Sequence, residues 1–100
     1  MSRRVKVLRR TQRDLEEIQV YLRREAPLRA DQLVEALLDR MERLSRFAES
    51  GARPRDARLS GLGFRFIVEG QYLIFYKATA RIVRVYRVIH ASRDYMRILR

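Results

Sequence analysis

Cysteine is absent and histidine occurs once, as His90. The first absence excludes a disulfide framework and a thiolate zinc site. The second leaves too few imidazoles for a metal site, and no tight acidic cluster surrounds His90, so neither metal nor cofactor is expected. Long apolar runs are missing too. Nothing approaches the roughly 20 residues that a membrane span needs, so no membrane partner is expected. Met1-Ser2-Arg3-Arg4-Val5 is basic, but no long apolar segment follows it. No signal peptide is read, and the expected location is the cytoplasm. Acidic residues are scarce: 12 Asp and Glu stand against 23 Lys and Arg, a net charge of +11. Most of the excess is arginine, whose planar fork of donors suits phosphate and carboxylate. A polyanion or a very acidic protein is the expected partner, with plain solubility as the bland alternative.

At 100 residues the chain reads as one domain, 1–100, with a thin core. Val5 to Leu8 reads as a first strand. Thr11 is placed to cap a helix, with Asp14 in its first turn, and Leu15, Ile18 and Leu22 recur at helical spacing. Ala26-Pro27 interrupts that helix. A second helix runs from about Leu28 to Phe47, with Val34, Leu37, Leu38, Met41 and Leu44 on its apolar face. Ser50 to Gly63 holds most of the glycine; Ser50 to Asp56 reads as loop, and Leu59 to Gly63 leads out of it. The period then becomes strand-like: Phe64–Val68, a turn at Glu69-Gly70, Tyr72–Lys77, a connection at Ala78-Thr79-Ala80, and Arg81–Ile89. A short terminal turn or helix over Asp94–Leu99 would let Leu99 reach back to the core. The fold class implied is α+β, two-layered, with an N-terminal strand and a helical hairpin packed on a mainly antiparallel four-stranded sheet. The place of the first strand in that sheet stays open.

Strict alternation puts Tyr72, Ile74 and Tyr76 on one face and Leu73 and Phe75 on the other. It likewise separates Ile82, Arg84, Tyr86 and Val88 from Val83, Val85, Arg87 and Ile89. Both faces are then substantially apolar, while a helical hairpin covers only one. The second is either a binding surface or is screened by a terminal segment or long side chains.

Gly63-Phe64-Arg65, then Tyr72-Leu73-Ile74-Phe75-Tyr76, then Arg87-Val88-Ile89-His90-Ala91-Ser92-Arg93-Asp94 follow one another in order. This progression resembles the ParE-like branch of the RelE/ParE toxin superfamily of type II toxin–antitoxin systems. Thr11, Leu15, Ile18 and Tyr21 look like the first helix of the same family. The resemblance spans nearly the whole chain. It implies a cognate acidic antitoxin, a toxin–antitoxin hetero-oligomer, and one of two targets. ParE-like members look like poisons of DNA gyrase that need no catalytic site. RelE-like members resemble ribonucleases that cut mRNA on the ribosome.

A nuclease would need a base, an acid and cations around the scissile phosphate. The candidates are His90 and Tyr95 for proton transfer, with Arg65, Arg87 and Arg93 as a phosphate clamp and Lys77 as a further cation. Each also has a structural reading: His90 closing the last strand, Arg65 holding the sheet to the preceding loop, Arg93 and Asp94 in ion pairs. The segment before the second strand carries Arg53, Arg55 and Arg58 but no lysine, and arginine does not serve as a general base. The expectation is therefore a gyrase inhibitor, with Asp94–Arg100 and the arginine-bearing helices as possible contacts. An endoribonuclease and a plain basic nucleic-acid-binding module are the alternatives. For the last, no helix-turn-helix, zinc-finger or glycine-rich phosphate signature is present.

Overall fold

The structure, a computed structural model, describes residues 2–99; Met1 and Arg100, ends of two segments singled out above, lie outside it. Strand β1 (Arg4–Val7) leads into helices α1 (Arg9–Glu25) and α2 (Pro27–Arg43). A short helix α3 (Ala57–Gly61) precedes strands β2 (Arg65–Glu69), β3 (Tyr72–Ala78) and β4 (Ile82–His90), and α4 (Tyr95–Ile98) closes the chain. The sheet order is β1-β4-β3-β2, antiparallel except for β1, which joins the edge parallel to β4. The expected α+β architecture of a helical hairpin on a four-stranded sheet is present.

The hairpin breaks where proline dictates, with Pro27 opening α2 at a position whose missing N–H costs nothing. Leu37, Met41 and Leu44 are fully buried between α2 and the sheet, where they meet Leu15, Ile74, Tyr76, Val83, Val85 and Val88. Each such side chain contributes about 1.5–3 kcal/mol by leaving water. Leu38, expected on that face, is instead exposed, and Ala30 takes a buried place. The β2–β3 hairpin turns at Gly70, whose φ of +59° is left-handed and suits glycine.

Three further sequence expectations need correction. Thr11 does not cap α1: the helix begins at Arg9, behind Leu8, with no side-chain cap and no acid in its first turn. The stretch after Asp56, read only as a lead out of the loop, forms a short helix. Asp56 accepts the Leu59 N–H at 2.9 Å and starts α3, whose Leu59 is fully buried. Alternation along β4 also fails. Its register against β3 shifts between Phe75 and Tyr76, so Tyr76 faces Val85 while Phe75 faces Arg87, leaving Tyr86 as a bulge. Val83, Val85 and Val88 therefore share the helix-side core, and Tyr86 and Ile89 the other.

The second sheet face is partly covered by the chain itself. Leu59 of α3 and Leu99 after α4 join Phe64, Phe75 and Ile89 in a second cluster, flanked by Phe66, Leu73, Tyr86 and Tyr95. Arg58 ties the two short helices by donating to the Met96 carbonyl at 3.0 Å. The screening segment allowed for above is thus the C-terminal one, together with α3.

Candidate functional site

β1 ends at Val7, so the second half of β4 has no strand on that side. The N-terminal half of α1 lies along this exposed edge and meets its backbone with polar side chains. Thr11 Oγ1 donates to the Val85 carbonyl at 2.8 Å, and the Val88 N–H donates to Asp14 Oδ2 at 3.0 Å. Asp14 is 4% exposed. The guanidinium of Arg87 grips it in a fork, Nε to Oδ2 at 2.8 Å and Nη2 to Oδ1 at 3.1 Å, with Arg10 alongside at 3.2 Å. A buried carboxylate needs this company. Sequence reasoning missed this node. Its signal was there: Thr11 and Asp14 are two polar residues in the stripe that continues through Leu15 and Ile18.

Beyond this node the edge opens into a groove of about 730 Å³ between α1, the start of α2 and the β2–β3 turn. Ile18, Tyr21, Leu33 and Tyr72 give it an apolar wall, and its lining carries charge of both signs, Arg29 and Arg93 with Asp14, Glu17 and Glu25. Burial pushes the Tyr72 phenol up, and nearby Tyr21 adds to the shift. His90 stands at the groove's end with both ring nitrogens engaged. Nδ1 accepts the Ser92 N–H at 3.1 Å and meets the Ser92 hydroxyl at 2.7 Å; Nε2 faces Gln71 Oε1 at 3.0 Å. This pattern fits the neutral ring with its hydrogen on Nε2. The ring also stands edge-on to Tyr72, centroids 5.2 Å apart. His90 thereby ties the end of β4 to the β2–β3 turn.

The remaining candidates lie elsewhere. Arg65 donates from Nη1 to the carbonyls of Gly51 at 2.9 Å and Glu49 at 3.3 Å, holding β2 to the loop before it. Beside it the buried Tyr76 hydroxyl donates to the Ala48 carbonyl at 2.7 Å and accepts the Gly51 N–H at 2.9 Å. Burial pushes this phenol up as well. Tyr95 packs on Phe75 at 5.1 Å, in the cluster on the opposite sheet face from the Tyr72–His90 pair. Lys77 lies over the rings of Phe64 and Tyr86, at 4.5 and 5.1 Å. Of the five proposed catalytic groups, the groove gathers His90 and Arg93. Arg87 is held by Asp14, Arg65 by carbonyls, and Tyr95 by the far cluster. Among the described residues, no group of three or more His, Cys, Asp or Glu is placed to hold a metal, and no helix is long and apolar enough to cross a membrane.

Several solved structures are similar in fold, among them two toxin–antitoxin systems. A chain of the chromosomal ParDE toxin–antitoxin system from P. aeruginosa superposes with a TM-score of 0.75 at 18% identity, over 91% of this chain and 98% of that one. A chain of the RelBE2 toxin–antitoxin complex from Mycobacterium tuberculosis does so with a TM-score of 0.66 at 20% identity, over 90% and 99%. No curated protein gives a significant sequence match. The model of the ParE toxin of type II toxin–antitoxin systems matches residues 5–95, nearly the whole chain. By that match this chain belongs to the ParE toxin family.

Proposed function

We propose that this toxin acts by binding rather than by bond cleavage, that its target is DNA gyrase, and that a cognate acidic antitoxin neutralises it in a hetero-oligomeric complex in the cytoplasm. The observation that carries this reading is the engagement of the groups a ribonuclease would need free. His90 has partners at both nitrogens, Arg87 is clamped by Asp14, and Arg65 is turned onto backbone carbonyls. Tyr95 sits in the cluster on the other side of the sheet. A general base and acid must reach one reacting phosphate together, and these side chains do not converge.

A binding poison needs surface instead. The groove beside α1 offers room for an extended antitoxin segment that seats apolar residues on its apolar wall, with Arg29 and Arg93 to meet acidic residues and Glu17 and Glu25 to meet basic ones.

The test is gyrase supercoiling with purified toxin, scored for inhibition and for trapped double-strand breaks. Inhibition with breaks, reversed by the antitoxin and retained in His90→Ala, is the expected result. No effect from folded protein overturns the gyrase target. Ribosome-dependent mRNA cleavage that is lost in His90→Ala and Tyr95→Ala would establish the ribonuclease instead.

A further inference from the structure

Opposite the helical hairpin, the sheet face has two unlike halves. One is the apolar cluster under α3 and α4. The other lies where β1, the start of β4 and the end of β3 run side by side. There the register sets Lys6 against Arg84 and Arg84 against Lys77, three cations on three adjacent strands. Arg4 stands two residues before Lys6 and points the same way. The alternating neighbours Val5, Val7, Val83, Val85 and Tyr76 all belong to the helix-side core, so the four cations face away from it. None of the four has an acidic partner within 4.0 Å among the described residues.

Like charges directly opposed across strands are destabilising, by up to about 1 kcal/mol per pair. A sheet that tolerates two such pairs in one row is missing an anion. We propose that Arg4, Lys6, Arg84 and Lys77 form a phosphate-binding row for the backbone of duplex DNA. The row lacks the apolar centre that anchors a protein partner, since charged residues are depleted from the middle of protein–protein interfaces. Interfaces with nucleic acid are far more basic. A single strand would need a free aromatic platform for its bases. Here Phe64 and Tyr86 stack edge to face at 5.3 Å, and the Lys77 ammonium lies over both rings. What remains open to solution is a line of cations on a rigid sheet, which suits the outside of a duplex.

The row is tested without gyrase, so its failure is separate from that of the proposed target. Binding of the toxin to a short labelled duplex is followed by fluorescence anisotropy over a range of salt. Each neutralised phosphate contributes about −0.9 to the slope of log K against log salt, so Lys6→Gln/Arg84→Gln should flatten the slope by about two units. This variant relieves the like-charge opposition and should fold at least as well as the wild type, which a thermal melt checks. Arg13→Gln/Arg24→Gln, on exposed positions of α1, removes the same charge and should leave the slope nearly unchanged. Equal flattening by the two variants overturns the proposal in favour of overall charge. Failure of the wild type to bind duplex while it binds polyglutamate or single-stranded DNA overturns it as well.

Discussion

Replacing Asp14 by alanine tests the node on which the first helix meets the sheet. The carboxylate accepts two hydrogen bonds from Arg87 and one from the Val88 N–H, at 2.8, 3.1 and 3.0 Å, while only 4% exposed. The Arg87 side chain is 14% exposed, so water does not readily replace the lost partner. Removing one member of a buried ion pair costs about 3–5 kcal/mol, because the other is left charged and uncompensated. Against a total stability of about 5–15 kcal/mol, that brings a domain of this size close to unfolding. Asp14→Asn keeps an acceptor for the Val88 N–H and should cost less, about 1–3 kcal/mol. Urea unfolding of Asp14→Ala, Arg87→Met and the double variant closes a cycle. The double variant should be more stable than Asp14→Ala alone, since an apolar replacement of the whole pair leaves no orphan charge. A loss below about 1 kcal/mol for Asp14→Ala, or a coupling energy near zero, would refute the node as a structural device. It would also release Arg87 for a functional role.

Gly51→Ala would drive its Cβ into the Tyr76 phenol, displacing a hydroxyl bonded to both Ala48 and Gly51. A loss of about 1–3 kcal/mol is expected by urea unfolding, and a neutral outcome would mean that the 48–51 loop shifts freely. Burial raises the phenols of Tyr72 and Tyr76 above the ordinary 10.0, so the folded state favours their protonated forms. Their stabilising contribution is complete below pH 10.0 and falls as the pH rises through that value; Tyr76→Phe should make the alkaline decline shallower, and an unchanged pH profile would count against it. Leu99→Ala should lower stability by about 2 kcal/mol, at the low end for a leucine because the chain end can relax. An unchanged melting temperature would show that the C-terminal turn does not hold the second cluster together.

Much of the fold was legible because its signals are local. Ala26-Pro27 divides the helices, Gly70 supplies a left-handed turn residue, and β-branched and aromatic residues mark the three consecutive strands. What escaped depends on partners distant in sequence. Thr11 and Asp14 have the chemistry of a helix cap, and the same oxygens serve as well on a strand edge more than 70 residues away. The bulge at Tyr86 arises between β3 and β4 and leaves no mark in the composition of β4, so the faces read correctly up to Tyr86 and wrongly at Val88 and Ile89. The five residues of α3 are too few for a helical period. The candidate site suffered in the same way. Arg65 was legible as a tie to the preceding loop, but Arg87 looks like a free cation in the chain, and its acceptor appears only once the helix at Asp14 comes against the sheet.

The distribution of charge now bears on how a partner approaches. Nine of the twelve acidic residues fall between Asp14 and Glu49, mostly on the helical hairpin. Residues 57–100 carry two acids and nine bases, and the first ten residues carry five bases and no acid. The net charge of +11 is therefore a field centred on the sheet rather than an even coat. Such a field draws a polyanion toward one side of the molecule and raises its rate of encounter in a salt-dependent way. On that side α3 and α4 cover part of the apolar half, leaving Leu62, Val68 and Met96 exposed around it. The open half is the row from Lys6 to Lys77. Charge and accessible apolar surface thus separate in three dimensions. The charge marks the second sheet face, and the accessible apolar wall lies in the groove beside α1.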